Sequence, residues 1–181
     1  ERIPDFASLL ERLEDATGVP VRGGRAAPYA ITARSLWALD ILEELGFSYD
    51  SSIFPIRHDL YGIPGSPRFA YRAASGSLLE VPITTVEYLG QRLPAGGGGY
   101  FRLLPYALFR AAVRRVNTRD RQAAVFYCHP WEIDPGQPRV AGVSAKSRFR
   151  HYTNLDRMES RLRRLLRDFR WGRMDEVFGV G

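Results

Sequence analysis

The stretch Ala-Ala-Val-Phe-Tyr-Cys, residues 123–128, decides the fold class. It is a short run without a charged side chain, and the polar residue His129 and then Pro130 follow it directly. A run of this kind is typical of a strand that is buried on both faces, as strands of parallel sheets are. The stretch therefore favours a parallel sheet covered by helices.

Outward from this strand, helical and strand-like patterns alternate. Apolar spacing and end signals predict helices and strands. The predicted helices cover residues 5–17, 33–45, 104–116 and 154–169, and the predicted strands cover residues 19–22, 47–50, 78–85 and 123–128. Residues 51–77 and the four glycines 96–99 are expected to be irregular or loop. Alternation without two-residue hairpin turns predicts an α/β fold in which the four strands are mainly parallel neighbours.

Composition is that of one globular domain. The chain has 181 residues, 45% hydrophobic and 25% charged. It contains no apolar run near the roughly 18 residues that span a membrane, and its single cysteine, Cys128, excludes an internal disulfide and a zinc site of several thiolates. The polar start at Glu1 lacks an initiator Met. We therefore expect the chain to begin inside a longer protein, and no localisation is predicted.

Arginine dominates the basic residues, and the net charge is +6 at pH 7. Seven arginines between residues 157 and 173 alternate with apolar residues at helical spacing. This pattern favours the solvated face of an amphipathic helix over a nucleic-acid surface. No nucleic-acid partner is predicted.

Polar residues of three kinds follow three of the predicted strands: Arg25, Asp50 and His129. Taken singly, they are compatible with a surface charge, a turn former and a structural histidine. Sites in parallel α/β folds form at the carboxyl ends of strands, so their occurrence together is more informative. An imidazole can move protons near neutral pH, a carboxylate beside it raises its pKa, and an arginine can keep a carboxylate ionised. The set suits hydrolysis.

A complete metal site is not expected within this chain. Its three histidines, His58, His129 and His151, are far apart and form neither H-x-x-x-H nor H-E-x-x-H. The nucleophile motif G-x-S-x-G is absent from the sequence, and the glycine run lacks the Lys and Ser or Thr of a phosphate-binding loop.

The same strand ends resemble the polysaccharide deacetylases, the NodB-homology carbohydrate esterases. The similarity is greatest to a subgroup encoded with exosortase-linked exopolysaccharide loci. The matching stretches are VRGGRAAPYAIT (21–32), LDILEELGFSYDSSIFPIRHDLYGIP (39–64), GGGYFRLLPY (97–106), VFYCHPWEIDPGQPR (125–139) and SRFRHYTNLDRM (147–158). They cover most of the chain in the expected order, and YDSSIFP and HPWEIDP are the most distinctive of them.

The resemblance implies an incomplete (β/α) barrel whose N-terminal strands are missing. Residues 1–181 would be the C-terminal portion of a single deacetylase domain, truncated at its N-terminus. Members of the family hydrolyse the N-acetyl group of amino sugars with a metal-bound water. Their metal ligands, an aspartate and two histidines, lie in early motifs that would be upstream of Glu1. A divalent metal, with zinc as the first candidate, is thus expected in the parent protein and none in this chain.

The resemblance also implies roles for residues of this chain. Arg25, in an R-x-x-P-Y pattern completed by Pro28 and Tyr29, matches the arginine that orients the catalytic base, although close relatives have the proline at another position. His129 matches the histidine that protonates the leaving amine. Asp50 matches the acidic residue that tunes that histidine. Tyr29 and Trp131 are candidates to line the acetyl or sugar pocket, with core packing as the alternative for each.

The sequence thus predicts part of a metal-dependent N-deacetylase acting on a bacterial exopolysaccharide, with the isolated chain inactive. Two alternatives remain open. One is a related amidohydrolase that acts on a small cyclic amide or ureide, which an anionic small-molecule substrate would reveal. The other is a non-catalytic glycan-binding or scaffold protein.

Overall fold

The computed structural model describes residues 3–27, 29–58, 61–73 and 76–180, with side chains from residue 7 onward. The chain divides into two compact units. The first comprises Glu1–Pro82 with Arg173–Gly181, and the second comprises Ile83–Gly172.

In its described residues, the first unit contains three helices and a small sheet. Helix α1 spans Ile3–Thr17, α2 spans Trp37–Glu44 and α7 spans Met174–Phe178. The strands are β1 (Gly23–Gly24), β2 (Tyr49–Asp50), β3 (Tyr71–Arg72) and β4 (Leu79–Glu80). They pair in the order β1-β2-β4-β3.

This sheet is mixed. Strand β2 is parallel to β1, with Asp50 opposite Gly24, and parallel to β4, with Asp50 opposite Glu80. Strand β3 is antiparallel to β4 and lies in the part of the chain that was expected to be irregular. The strand that was predicted at 19–22 lies instead at Gly23–Gly24, and these two glycines pair with β2.

The core of the first unit is built from the residues that the helical and strand patterns single out. Its buried members are Ile31, Leu39, Phe47, Ile53, Ala73 and Leu78. Val21 and Leu42 are partly buried against them. Leu39 is the buried residue of α2, and Phe47 precedes β2, so the helix and the strand close over one apolar cluster.

The second unit begins with a hairpin. Strand β5 (Thr85–Tyr88) pairs antiparallel with β6 (Gln91–Pro94) through the two-residue turn Leu89-Gly90. Both turn residues have positive φ, 48° and 75°, which suits the right-handed twist of the two strands. The expectation of a fold without two-residue hairpin turns is therefore wrong, and the predicted strand 78–85 is the end of one sheet and the start of another.

Helices form most of the rest of the second unit. They are α3 (Gly98–Leu103), α4 (Tyr106–Arg115), α5 (Ala145–Tyr152) and α6 (Met158–Asp168). A π-helical turn, Val116–Asp120, continues α4, and short 3-10 turns cover Pro130–Ile133 and Leu155–Arg157. Helix α3 begins inside the glycine run, which was expected to be a loop, and α5 was not predicted.

The decisive stretch 123–128 forms less regular structure than its composition predicts. Tyr127 makes one isolated parallel bridge with Gly97, in which the Tyr127 amide donates to the Gly96 carbonyl and Gly98 N–H donates to the Tyr127 carbonyl. The Val125 amide donates to Thr84 Oγ1, a side chain, at 2.6 Å. The Val125 amide is thus bonded to a side chain and not to a neighbouring strand. The stretch makes a single parallel bridge, at Tyr127, and does not form a regular strand.

Both sheet and helix are thus present, as the α/β prediction requires, and the sheets within the described ranges are mixed and small and do not close into a barrel. The predicted parallel order holds for β1, β2 and β4 only. None of the helices in the described parts of the chain is long and apolar enough to cross a bilayer.

Candidate active site

Arg25 directly follows β1 and is hydrogen-bonded to the residue that directly follows β2. Its Nε donates to the Ser51 carbonyl at 2.9 Å, and its Nη2 donates to Ser51 Oγ at 3.0 Å. Ser51 is itself buried, and its hydroxyl donates to the Val81 carbonyl at 2.7 Å. Since β1 and β2 are parallel, their carboxyl ends meet at one edge, and this places the guanidinium next to the YDSS segment.

Asp50 is the last residue of β2 and is fully buried. Its two carboxylate oxygens accept from Ser52, Oδ2 from the Ser52 amide and Oδ1 from the Ser52 hydroxyl, both at 2.9 Å. Ser52 Oγ in turn accepts from the Ala26 amide at 2.7 Å. The two serines therefore connect Asp50 with the segment that carries Arg25.

A second buried carboxyl lies across the sheet from Asp50. Glu80 is the register partner of Asp50 on β4 and is also fully buried. Glu80 Oε1 accepts from the Ile53 amide at 2.9 Å. Burial, followed by the charge of Asp50, raises the pKa of Glu80 to about 10. The neutral form of Glu80 is thereby favoured.

Tyr71 on β3 completes this group. It lies opposite Glu80 in the antiparallel register. Its pKa is raised to about 12, by burial first and then by the charges of Glu80 and Asp50. The phenol therefore stays protonated throughout the physiological range.

A pocket of about 520 Å³ adjoins these strand ends within the first unit. The polar side chains in its wall are those of Arg25, Ser35 and Asp50, and the remainder is mostly apolar, including Ile31 and Trp37. Gly24 lies against the Phe47 ring, and an added Cβ would approach a ring carbon of Phe47 to 3.0 Å. The pocket is large enough for a small acyl group or one sugar unit.

Tyr29 is buried and adopts a left-handed backbone with φ of 64°. Its ring lies 5.6 Å from that of Phe54 and 5.3 Å from that of Tyr61, measured between centroids. His58 stacks on Tyr61 at 3.9 Å. Arg25 Cζ is 6.0 Å from the Tyr29 centroid. Tyr29 thus packs among aromatic side chains, and the remaining member of its motif, Pro28, lies outside the described residues.

His129 and Trp131 lie in the second unit, after the stretch 123–128. His129 is exposed and precedes the 3-10 turn Pro130–Ile133. Trp131 is half-buried, and its ring is nearly parallel to that of His129, with centroids 5.5 Å apart. The imidazole of His151 stacks on Trp131 at 4.0 Å. One face of the indole is therefore covered by a histidine that the sequence did not link to the site.

The segment that carries His129 is held by a buried ion pair. Arg102 Nε donates to Glu132 Oε1 at 2.9 Å, and both side chains are 2% exposed. Glu132 Oε2 accepts from the His129 amide at 2.9 Å. The other Arg102 nitrogens donate to the carbonyls of Arg150, His151 and Thr153. Arg102 and Glu132 thus fix the backbone on both sides of the aromatic stack.

His151 is hydrogen-bonded through Nε2 to Gln137 Oε1 at 2.8 Å. Burial, with the nearby charge of Arg102, lowers its pKa below the usual value. Gln137 Nε2 also donates to the Trp131 carbonyl at 2.7 Å. His151 thus packs on Trp131 and is held in place by Gln137.

The structure thus brings some of the predicted residues together within each unit. Arg25 and Asp50 are linked through Ser51 and Ser52 in the first unit, and His129 lies beside Trp131 in the second. Sequence reasoning missed Glu80 and Glu132. Both are acids within otherwise apolar stretches, SLLEVPI and HPWEI, and this is the pattern that could have indicated buried carboxyls.

No group of three or more His, Cys, Asp or Glu side chains within the described ranges is arranged to hold a metal ion. The side chains present here therefore do not fit the metal that the deacetylase resemblance implies.

A sequence family described as a domain of unknown function, DUF3473, matches residues 51–179. The match covers more than two thirds of the chain and includes both YDSSIFP from its first serine onward and HPWEIDP. No curated protein and no solved structure matches. The chain therefore belongs to the DUF3473 family.

Proposed function

We propose that this chain is the C-terminal part of a polysaccharide deacetylase that hydrolyses N-acetyl groups on an amino-sugar exopolysaccharide. The observation that carries the proposal is the connection of Arg25 with the end of β2. An arginine and a buried aspartate, Asp50, lie at the carboxyl ends of neighbouring parallel strands and are joined by Ser51 and Ser52. Sites of α/β enzymes form at such strand ends.

The proposal gives each residue a task. Arg25, which is exposed, would hold the carboxylate of the catalytic base ionised. His129, also exposed, would donate a proton to the nitrogen of the departing amine as the C–N bond breaks, so that the products are acetate and a free amino sugar. The apolar pocket beside Gly24 would accept the acetyl methyl group.

The divalent metal of the proposed reaction, with zinc as first candidate, would be bound by residues of the parent protein outside this chain. The isolated chain should therefore be inactive, and the test uses the full-length protein. The substrate is an N-acetylglucosamine oligomer, and the readout is acetate release.

In the full-length protein, His129→Ala should slow acetate release about 100- to 10,000-fold, because it removes the general acid. Metal content should change little. Arg25→Ala should also slow turnover, whereas Arg34→Ala, at an exposed arginine of the same unit, should leave it unchanged.

Near-wild-type turnover of the His129 variant, or loss of metal along with activity, would show that His129 has a different role. Absence of acetate release by the wild-type protein from any N-acetylated glycan would contradict the proposed function itself.

A further inference from the structure

Glu80 is a buried acid in an apolar strand end. Its Oε1 accepts one hydrogen bond, from the Ile53 amide. Its Oε2 is fully buried and, as a carboxylate oxygen, has no donor directed at it. Leaving a buried polar atom without a partner is unfavourable, and more so when the atom is charged. An ionised Glu80 could only accept hydrogen bonds, so its Oε2 would stay unpaired. A protonated Oε2 could instead donate a hydrogen bond to a neighbouring acceptor.

The neighbouring carboxyl of Asp50 supplies that partner. Asp50 and Glu80 are register partners on parallel strands, and neither has any exposed surface. Two ionised carboxylates this close inside a protein repel each other strongly, and such pairs hold one proton between them. The oxygens of Asp50 already accept from Ser52, which leaves Glu80 Oε2 as the oxygen of the pair that can carry the proton.

We propose that Glu80 is the protonated member of this carboxyl pair, donates its proton from Oε2 to Asp50, and thereby positions the strand end that carries Ser51 and Ser52. Protonation turns the orphan oxygen into a donor and leaves the pair with one negative charge. Burial, then the charge of Asp50 and the hydrogen bond with it, raise the pKa of Glu80 to about 10.

The structural consequence reaches Arg25 through the serines. Asp50 accepts from the Ser52 hydroxyl, and Ser52 Oγ accepts from the Ala26 amide. Glu80 also holds the Ile53 amide, so it fixes both sides of the Ser51-Ser52 segment. The effect on turnover rests on the proposed function, whereas the shared proton does not.

The groups that face Glu80 are Asp50 on β2 and Tyr71 on β3. Tyr71 has its pKa raised to about 12, so it stays protonated while Glu80 titrates. A proton released on unfolding between about pH 4.5, the ordinary pKa of glutamate, and about pH 10 therefore comes from the carboxyl pair.

The first test is the pH dependence of stability. Unfolded Glu80 is ionised above about pH 5 and folded Glu80 is not, so unfolding releases a proton and stability falls as pH rises towards the folded pKa. Glu80→Gln retains a neutral donor and cannot ionise. The ratio of the wild-type unfolding constant to that of E80Q should rise by up to about tenfold per pH unit between about pH 5.5 and 8.5.

Denaturant unfolding of the full-length protein at several pH values measures this ratio, and Glu44→Gln, at an exposed acid of α2, is the matched control. The wild-type to E44Q ratio should be flat with pH. A flat ratio for E80Q as well would overturn the shared proton, because Glu80 would then ionise equally in both states.

The second test separates positioning from general stability. If the wild-type protein releases acetate, E80Q should keep kcat within about threefold, because its amide can donate to Asp50, whereas Glu80→Ala should lower kcat with a smaller change in KM. Equal loss in E80Q and E80A would overturn the positioning role. If the wild-type protein releases no acetate, the proposed function fails, and the unfolding ratio alone still decides whether Glu80 holds the proton.

Discussion

Gly98 makes room for a carboxylate. An added Cβ at this position would lie 2.2 Å from Glu132 Oε2, so only glycine lets α3 begin against the buried acid. The carboxylate is balanced by Arg102, which is 1% exposed and donates to Glu132 and to three carbonyls. A charge pair so fully removed from water is stable only while both partners remain, because each compensates the desolvation of the other.

Arg102→Ala should therefore destabilise the protein by about 3 to 5 kcal/mol, since it leaves Glu132 charged and buried without its partner. The matched control is Arg163→Ala. Arg163 pairs with Glu159 at 2.8 Å, but both side chains are more than half exposed, and such pairs contribute little. Denaturant unfolding measures both variants. Equal effects of the two substitutions would contradict the distinction by burial.

At the level of elements, α6 turns one basic residue inward. Its buried residues are Met158 and Leu165, which pack into the cluster around Phe101 and Phe109. Arg161 on the same helix donates from Nη1 to the carbonyls of Phe101, Arg102 and Leu104 at 2.8 to 3.0 Å. These carbonyls lie at the end of α3, where the last carbonyls of a helix have no N–H donor within the helix. Among the seven arginines between residues 157 and 173, Arg161 is thus not part of a solvated face, whereas Arg167 is exposed.

Arg161→Met should cost about 1.5 to 3 kcal/mol of unfolding free energy, the usual range for hydrogen bonds that involve a charged group. Arg167→Met, two turns further along α6 and exposed, should leave stability nearly unchanged. Thermal or denaturant unfolding compares the two. If Arg167→Met were the more damaging substitution, the end of α3 would not depend on Arg161.

At the level of the whole molecule, each unit has its own apolar core. In the first unit, β1 is an outer strand of the four-stranded sheet, and large apolar side chains near it are exposed, Val19 by 62% and Trp37 by 61%. An outer strand presents unpaired backbone groups, and exposed apolar surface favours association. Under the proposed function, the strands of the parent protein would cover this side of the first unit.

The isolated 181-residue chain should consequently aggregate or bind a hydrophobic dye, and the full-length protein should do neither. Dye fluorescence and light scattering at equal concentration measure the difference. A monomeric, dye-negative and cooperatively melting chain would instead show that these residues form a complete domain.

The sequence by itself determined the features that depend on neighbours along the chain. Apolar spacing predicted α1, α2, α4 and α6 within a few residues, and a polar residue after an apolar run marked Arg25 and Asp50 at the ends of β1 and β2. Helical and strand periodicity is local, so it can be read without the fold. The hairpin at Leu89-Gly90 was missed because leucine rarely adopts positive φ.

Only the tertiary structure decided which charged groups meet. Glu80 faces Asp50 because β4 pairs with β2 in one register, and Arg102 meets Glu132 across 30 positions of sequence. Neither pairing leaves a periodic pattern, because register and packing are set by contacts between distant segments. Burial then makes these pairs consequential, since removal from water raises the pKa of Glu80 and leaves Glu132 dependent on its bond with Arg102.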